Sequence, residues 1–523
     1  MGGKHGDTVR GLMSTGASPL FQGKFGRMFR GLPAAQFGTT EDENKANLRT
    51  LGAAMSAAFK APKDGKDPEE SGIPALYTYF GQFVAHDITF DPASSLQQQN
   101  DPDALTDYRT PAFDLDSLYG RGPSDQPYLY TNPKPADGGA KRFLLGNSIS
   151  GGGDPRATDL PRNGDLNFPP RALIGDPRND ENAIVSQLHG LFLRFHNGKA
   201  RENSGMQFEE IQQLVRSHYQ YVVLNDFLPR IVHSSVLSAL QTEGQYDKDK
   251  LMFFHWRNEP FLPVEFSVAA YRFGHSMVRP GYHLNGGLNG DDDVTLLPIS
   301  KIPATTAPGF PDSLLGFRRL NPIWGLDWGR FIDVDTRKYD GSDADNRRRL
   351  QFAYKIDTSL ANPLSTLPPT VVSDPPPSLA ERDLLRGWQL GLPSGQSVAK
   401  AMGITPLEDK DIRIGQAVDD LQTVPSILDP SLGLGDVFKE NCPLWTYILA
   451  EAMQYKEPVK LPVEEDVTIN TPRLGPVGGR IVAEVLLGLM FGDGRSMLNL
   501  DPKWQPDAPS FALKDFVESA LGQ

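Results

Sequence analysis

Between Tyr77 and Phe90 the chain reads YTYFGQFVAHDITF, an aromatic-rich apolar run into which Gln82, His86 and Asp87 are set. A folded chain has to bury such a run, and helical geometry then dictates where the polar groups go. Gln82 and His86 are four residues apart, so their side chains stack one turn above the other on one face. Asp87 points about 100° away from His86. An imidazole therefore looks one way while an acceptor carboxylate looks another. The run is expected to start as a helix at Gly72-Ile73-Pro74, with Ser71 as its cap and Pro74 in its first turn. It should stop near Phe90, ahead of Asp91-Pro92. Read alone, it also fits a core helix with one satisfied histidine.

The rest of the chain narrows the choice. Its 523 residues include 51 glycines and 44 prolines against 39% hydrophobic residues, which allows a sizeable core wrapped in many loops. A net charge of −13 argues against a general nucleic-acid footprint and for a soluble protein. Cys442 is the sole cysteine, which excludes an internal disulfide and any multi-cysteine metal or iron–sulfur site. No secretory signal or membrane span is visible at MGGKHGDTVRGLM. Gly6 stands where myristoylation needs Ser or Thr. The expectation is a cytoplasmic protein or one secreted by a non-standard route; localisation is otherwise open.

Residues 1–70 are expected to form an arm wrapped over the body of the protein, being rich in Gly, Pro, Ala and Lys with weak periodicity. Residues 93–175 and 284–375 read as long loops. Within the first lies TPAFDLDSLYG, residues 110–120, where Thr110, Ala112, Asp114 and Asp116 alternate and so share one side of an extended segment. Two carboxylates, a hydroxyl and a carbonyl make an oxygen-rich face suited to a hard cation such as Ca²⁺, although the glycine and glutamate of an EF-hand loop are missing. A solvated acidic turn fits the segment as well. GDPRNDE, 175–181, leads into a strong helix from about Asp180, capped by Asp180 or Asn179, with Glu181 near its positive end. On that helix His189 and His196 lie two turns apart, and with no third ligand in view they read as buried or surface-satisfied histidines. VEFSVAAYRFGHSMVRP, 264–280, reads as an apolar helix stopped by Pro280, its small residues admitting a flat partner and its Arg272 and His275 neighbours. SLAERDLLRGWQLGLPSGQ makes another, ended by Gly391 and Pro393, on which Asp383 and Arg386 read locally as a surface ion pair. Two more helical patterns, CPLWTYILAEAMQYK and GPVGGRIVAEVLLGLMFG, follow, and no strand-alternating region stands out. The fold class is mainly α: a single large helical domain over 71–523 with long loops and little β.

His86, Arg178, His275, Asp383, Arg272 and Arg386 all want a common partner, and one haem would use them all. With GQFVAHD, TPAFDLDSLYG, GDPRNDE, YRFGHSMV and LLRGWQLGLPSGQ in this order over roughly residues 70–500, the chain resembles the animal-type haem peroxidases of the peroxidase–cyclooxygenase superfamily, its bacterial members in particular. The resemblance implies that His86 is the distal histidine, Gln82 the distal glutamine and Arg178 the distal arginine. It makes His275 the proximal iron ligand, with Asp383 where the family usually has an asparagine bonded to that ligand. Arg272 and Arg386 match arginines near the haem propionates. Asp87, Thr110, Ala112 through its carbonyl, Asp114 and Asp116 match the calcium site, which would tie the metal to the residue beside the distal histidine. The implied cofactors are haem b and Ca²⁺, and the implied partners are hydrogen peroxide and a small electron donor such as a halide, thiocyanate or phenol, oxidised through an oxo-iron(IV) porphyrin radical. Ala85 stands where mammalian members carry an aspartate esterified to the haem, and Asn182 where one of them has a sulfonium-forming methionine. One ester, through Glu181, is what remains. The alternatives are a fatty-acid dioxygenase of the same superfamily, whose radical tyrosine lies three residues before the proximal histidine where this chain has Arg272, and a non-catalytic peroxidase-like interaction domain. A zinc hydrolase built on His189 and His196 lacks both HExxH spacing and a third ligand.

Overall fold

The computed structural model describes residues 23–58, 60, 67–90, 106–131, 142–149, 156–164, 170–285, 296–298, 314–334, 350–367, 372, 374–461, 464–508 and 510–522. Among these, eight α-helices run nine residues or more: α1 (Glu41–Ala54), α2 (Leu76–Ile88), α3 (Ala183–Glu202), α4 (Phe208–Val222), α5 (Leu379–Gln389), α6 (Leu444–Ala452), α7 (Pro476–Gly492) and α8 (Leu513–Leu521). The strands are short and sit in small sheets, as the mainly α expectation has it. One contiguous apolar core runs from Phe25 to Leu521. No helix of the described residues is long and apolar enough to cross a membrane.

Helix α2 is the buried centre. Tyr77, Tyr79, Phe80, Phe83 and Val84 are all buried, and Phe83 stacks on Phe192 of α3 with centroids 4.3 Å apart. Only Gly81, Gln82 and Ala85 in its middle turns are half-exposed, leaving one narrow open stripe. Its start differs from expectation. Residues Glu70–Pro74 form strand β2, paired antiparallel with β5 (Phe352–Tyr354), and the helix begins at Leu76. Ser71 donates its hydroxyl to Ala353 O at 2.7 Å instead of capping. The first amides find distant acceptors, Ala75 N on Gln351 O and Leu76 N on Phe331 O, both at 2.9 Å, so no side-chain cap is needed.

Helix α3 begins at Ala183, later than expected, because Asn182 takes the cap: its side chain accepts from Ile184 N and Val185 N. Such a cap contributes about 1 kcal/mol. Ahead of it, Pro177–Asp180 form a 3₁₀ turn capped by Asp176. This turn holds Arg178 and Asn179 against α2.

The 264–280 run is not a plain α-helix. A π turn, Glu265–Ala269, changes at Ala269 into a 3₁₀ turn, Ala270–His275. Glu265, fully buried, pins the start by accepting from Met28 N and Phe29 N at 3.0 Å each. Tight 3₁₀ winding eclipses side chains three residues apart. Arg272 and His275 therefore come to one side together.

Residues 23–58, within the expected arm, are regularly folded. Strand β1 (Gly23–Gly26) pairs antiparallel with β3 (Thr106–Asp107) and parallel with β4 (Leu262–Pro263). Helix α1 carries a Thr40/Glu43 capping box and lies along α5, where Arg49 pairs with Glu381 at 2.6 Å. A hairpin of β6 (Lys456–Leu461) and β7 (Glu464–Pro472) went unseen in the sequence because prolines and charges break its alternation.

Candidate functional site

The open stripe of α2 faces the 3₁₀ turn. Tyr271 Oη donates to Gly81 O at 3.3 Å where the two meet, and Tyr271, Arg272, Gly274 and His275 are half-exposed as Gly81, Gln82 and Ala85 are.

On the α2 side, His86 Nδ1 lies 2.8 Å from Asn179 Oδ1, and Asn179 Nδ2 lies 3.0 Å from His189 Nδ1. The His86 Nε2 atom lies 3.8 Å from Glu181 Oε1. Burial, helped by the Arg178 charge and opposed by Glu181 and Asp176, brings the His86 pKa down to about 4. The ring is therefore neutral at physiological pH. Gln82 donates to Glu181 and accepts from Asn182 Nδ2 at 3.2 Å, so Gln82, His86 and Glu181 form one group as the four-residue spacing requires. Arg178 bonds His86 O at 2.8 Å and Asp176 Oδ2 at 2.7 Å through Nη2, and stacks over Phe90 with its Cζ 4.3 Å from the ring centroid. Its Nε also serves Asp176, which leaves Nη1 to point elsewhere.

On the other side, His275 Nδ1 lies 2.5 Å from Asp383 Oδ2, and Arg272 Nη1 pairs with Asp383 Oδ1. Asp383 has a fully buried side chain and is no surface residue: its carboxylate bonds His275 and Arg272. Burial disfavours its charge, but His275 and Arg272 outweigh that and hold its carboxyl below the usual range. No described residue takes up His275 Nε2. Arg386 lies one turn beyond Asp383 on α5.

These residues fit a haem. A neutral histidine and a carboxylate-backed histidine with an uncommitted Nε2 stand on facing elements. Beside His275, an added Cβ on Gly274 would meet nothing within 4 Å, so the backbone there lies open to a flat ligand.

Below α2, one carboxylate oxygen each of Asp87, Asp114 and Asp116 lies within 4.8 Å of the others. The acidic loop is buried, not solvated, and it converges by bending. Leu115 takes a left-handed conformation (φ 56°), a strain of about 1–2 kcal/mol for such a side chain. Thr110 Oγ1 donates to Asp114 Oδ2 at 2.8 Å, while Ser117 Oγ (3.0 Å) and Leu115 N (3.2 Å) donate to Asp87. Burial and the Asp114 charge raise Asp87 to about 7, and Asp116 is raised as well, by burial first. Asp116 Oδ1 is buried without a hydrogen-bond donor among the described residues. Three such carboxylates with an orphaned oxygen are a donor set for a hard cation.

A link not foreseen in the sequence joins this loop to His86. Arg109 pairs with Asp116 at 3.5 Å and with Asp176 at 2.6 Å, and Asp176 in turn holds Arg178. Burial opposes the Asp176 charge, but Arg109 and Arg178 outweigh it and keep it ionised far below the usual range. Asn179 and His189 were also missed as site residues, since only the folded chain brings them to His86. His189 and His196 are buried and engaged separately, with Asn179 and with Tyr119 Oη (2.9 Å), and are no ligand pair.

Residues 110–303 match the family profile described as animal haem peroxidase. Residues 110–303 therefore resemble part of an animal haem peroxidase. Over 119 residues it is 29% identical to thyroid peroxidase of Homo sapiens, covering 21% of this chain and 12% of that protein. Over 114 residues it is 31% identical to a peroxidase-like protein of Margaritifera margaritifera, covering 20% and 14%. The matched segments thus span less than a sixth of those relatives. The chain's fold is also that of peroxidase A from Dictyostelium discoideum, with a TM-score of 0.55 at 15% identity over 96% of this chain and 94% of that one. A fatty acid alpha-dioxygenase of Oryza sativa shares it with a TM-score of 0.51 at 13% identity over 94% and 77%. The family matched over residues 110–303 implies haem.

Proposed function

We propose that this protein is a haem-dependent peroxidase that reduces hydrogen peroxide and oxidises a small donor, a halide, thiocyanate or a phenol. The observation that carries the reading is the pair of unlike histidines on facing elements, neutral His86 beside Gln82 and Arg178, and His275 bonded to Asp383 at 2.5 Å. His275 Nε2 is the atom to hold the iron, with Arg272 and Arg386 the cations for the propionates. A bound haem would supply the redox chemistry that couples peroxide to the donor.

The chain's own groups then move protons and charge. His86 Nε2 accepts the proton of the peroxide and returns it to the departing oxygen. Arg178, through Nη1, favours the charge that builds across the O–O bond, and Asp176 holds it in place. Gln82 orders the same face. Asp383 accepts the His275 Nδ1 hydrogen, which makes the ring more imidazolate-like than an amide would. Glu181 is the carboxylate that the described residues set beside Gln82 and His86, so it would be the residue to hold the haem through an ester, with peroxide as the oxidant, Ala85 offering none. Asp87, Asp114, Asp116, Thr110 and the Ala112 carbonyl would hold calcium, which would neutralise the buried carboxylates and, through Arg109 and Asp176, steady Arg178.

Protein made with adequate haem should show a Soret band and consume peroxide with bromide, iodide or a phenol; no Soret band would favour the non-catalytic interaction domain instead. Acid–acetone extraction after peroxide treatment should leave haem on the chain, and complete removal would count against the Glu181 ester. The dioxygenase shares the fold, but its tyrosine position is Arg272, bonded to Asp383, and the adjacent Tyr271 spends its hydroxyl on Gly81 O. Oxygen uptake with an unsaturated fatty acid in the absence of peroxide would reverse the choice.

A further inference from the structure

We propose that Asn179, braced by His189, is a positioning residue that fixes which nitrogen of His86 is basic. The geometry stands by itself; its catalytic consequence rests on the peroxidase reading above. An amide oxygen only accepts and an amide nitrogen only donates. With Oδ1 of Asn179 at 2.8 Å, Nδ1 of His86 must carry the hydrogen, and the lone pair is left on Nε2, the atom on the Gln82 and Glu181 side. With Nδ2 at 3.0 Å from His189 Nδ1, His189 must accept there and carry its own hydrogen on Nε2.

That last hydrogen is buried and finds no acceptor among the described residues. Leaving a buried donor unmade costs about 1–3 kcal/mol, so an unpaired group of this kind calls for a reason. The reason here is orientation. Turning the amide over would set its nitrogen against His86, move the His86 hydrogen to Nε2 and remove the base. The parts that hold the amide are rigid. Asn179 and His189 are fully buried, Asn179 N bonds Asp176 O at 3.1 Å, and the His189 ring packs edge-on to Phe83 of α2 with centroids 6.0 Å apart.

The test is the tautomer itself, read by nitrogen-15 NMR on histidine-labelled protein in the diamagnetic ferrous carbonyl form, or on the protein as purified if it carries no haem. Wild-type His86 should show a pyrrole-type Nδ1 and a pyridine-type Nε2. A pyrrole-type Nε2 overturns the proposal without any variant. Asn179→Asp keeps the acceptor and should keep the tautomer. Asn179→Leu and His189→Phe should scramble it, with the rate of peroxide reduction falling about a hundredfold, the lower end of what a positioned base supplies. Equal tautomer patterns in Asn179→Asp and Asn179→Leu would reduce Asn179 to a packing residue. The expected tautomer in a protein that neither binds haem nor reacts with peroxide would sink the peroxidase reading and leave the positioning intact.

Discussion

His86 and His275 carry the same imidazole, and each turns its Nδ1 towards an oxygen of a buried neighbour, Asn179 at 2.8 Å and Asp383 at 2.5 Å. The neighbours differ in charge, and that difference assigns the chemistry. A neutral amide orients His86 and adds little to its basicity, so burial dominates and the ring stays a weak base with its lone pair on Nε2. A carboxylate does the opposite to His275, enriching the ring as an electron donor. One imidazole is suited to passing a proton and the other to staying on a metal.

The contrast can be broken by deletion. His275→Ala should abolish the Soret band, because the iron loses its ligand. His86→Ala should keep the band while the rate of peroxide reduction falls by about 10²–10⁴-fold, the range of a positioned acid–base group. Loss of haem from both variants alike would erase the distinction. Next comes the cation site proposed under α2. Chelation, or Asp114→Ala, should lower the melting temperature, with about 2–3 kcal/mol of stability returning when calcium is restored at a hundredfold excess over its dissociation constant. No thermal response to calcium would leave the three carboxylates without a cation. A smaller change belongs to Asp383→Asn, which makes the two histidine partners alike. The iron reduction potential should rise by on the order of 60 mV, a tenfold change in a one-electron equilibrium. An unmoved potential in a redox titration would remove the carboxylate from the argument.

The smallest effect tests the charge logic away from the site. Asp383 stays ionised beside two cations, whereas Glu69 is raised to about 7 by burial and by Asp67. A carboxyl with a raised folded pKa binds its proton more tightly folded than unfolded. Its contribution to stability is therefore lost as pH climbs from the unfolded value near 4.5 through about 7. Glu69→Gln keeps the bond from Gln416 and removes that slope, so its melting temperature relative to wild type should be higher at pH 8 than at pH 5. A difference independent of pH would mean that Glu69 is not held protonated.

Much of the site could be read from spacing because helical neighbours are local. Gln82 and His86 share a face, and Asp87 leaves it, whatever the rest of the chain does. Thr110, Asp114 and Asp116 were legible as oxygen donors, but their burial was not, since Arg216 and Gln220 of α4 close over the loop from a hundred residues away by bonding Asp114 O and Phe113 O. Ser71 looked like a cap because nothing nearby reveals that Ala353 O is waiting for its hydroxyl. The π-to-3₁₀ change at Ala269 was hidden for the same reason, its tether being Glu265 to the amides of residues 28 and 29. Asn179 and His189 had no pattern of their own; their meaning lies in a hydrogen-bond direction that appears only when α2 and α3 are side by side.

That tether has a consequence for the order of assembly. Arg27 reaches Leu390 O and Gly391 O (2.9 Å to the latter) at the end of α5, while Met28 and Phe29 hold Glu265 at the head of the His275 segment. Three consecutive residues thus span the two elements that bring His275 to Asp383. They are made before either partner and meet the last of them some 360 residues later. Contacts so distant in sequence close slowly and late. These three residues are a latch that waits for α5, and the couple of His275 and Asp383 is braced from both sides only when it closes.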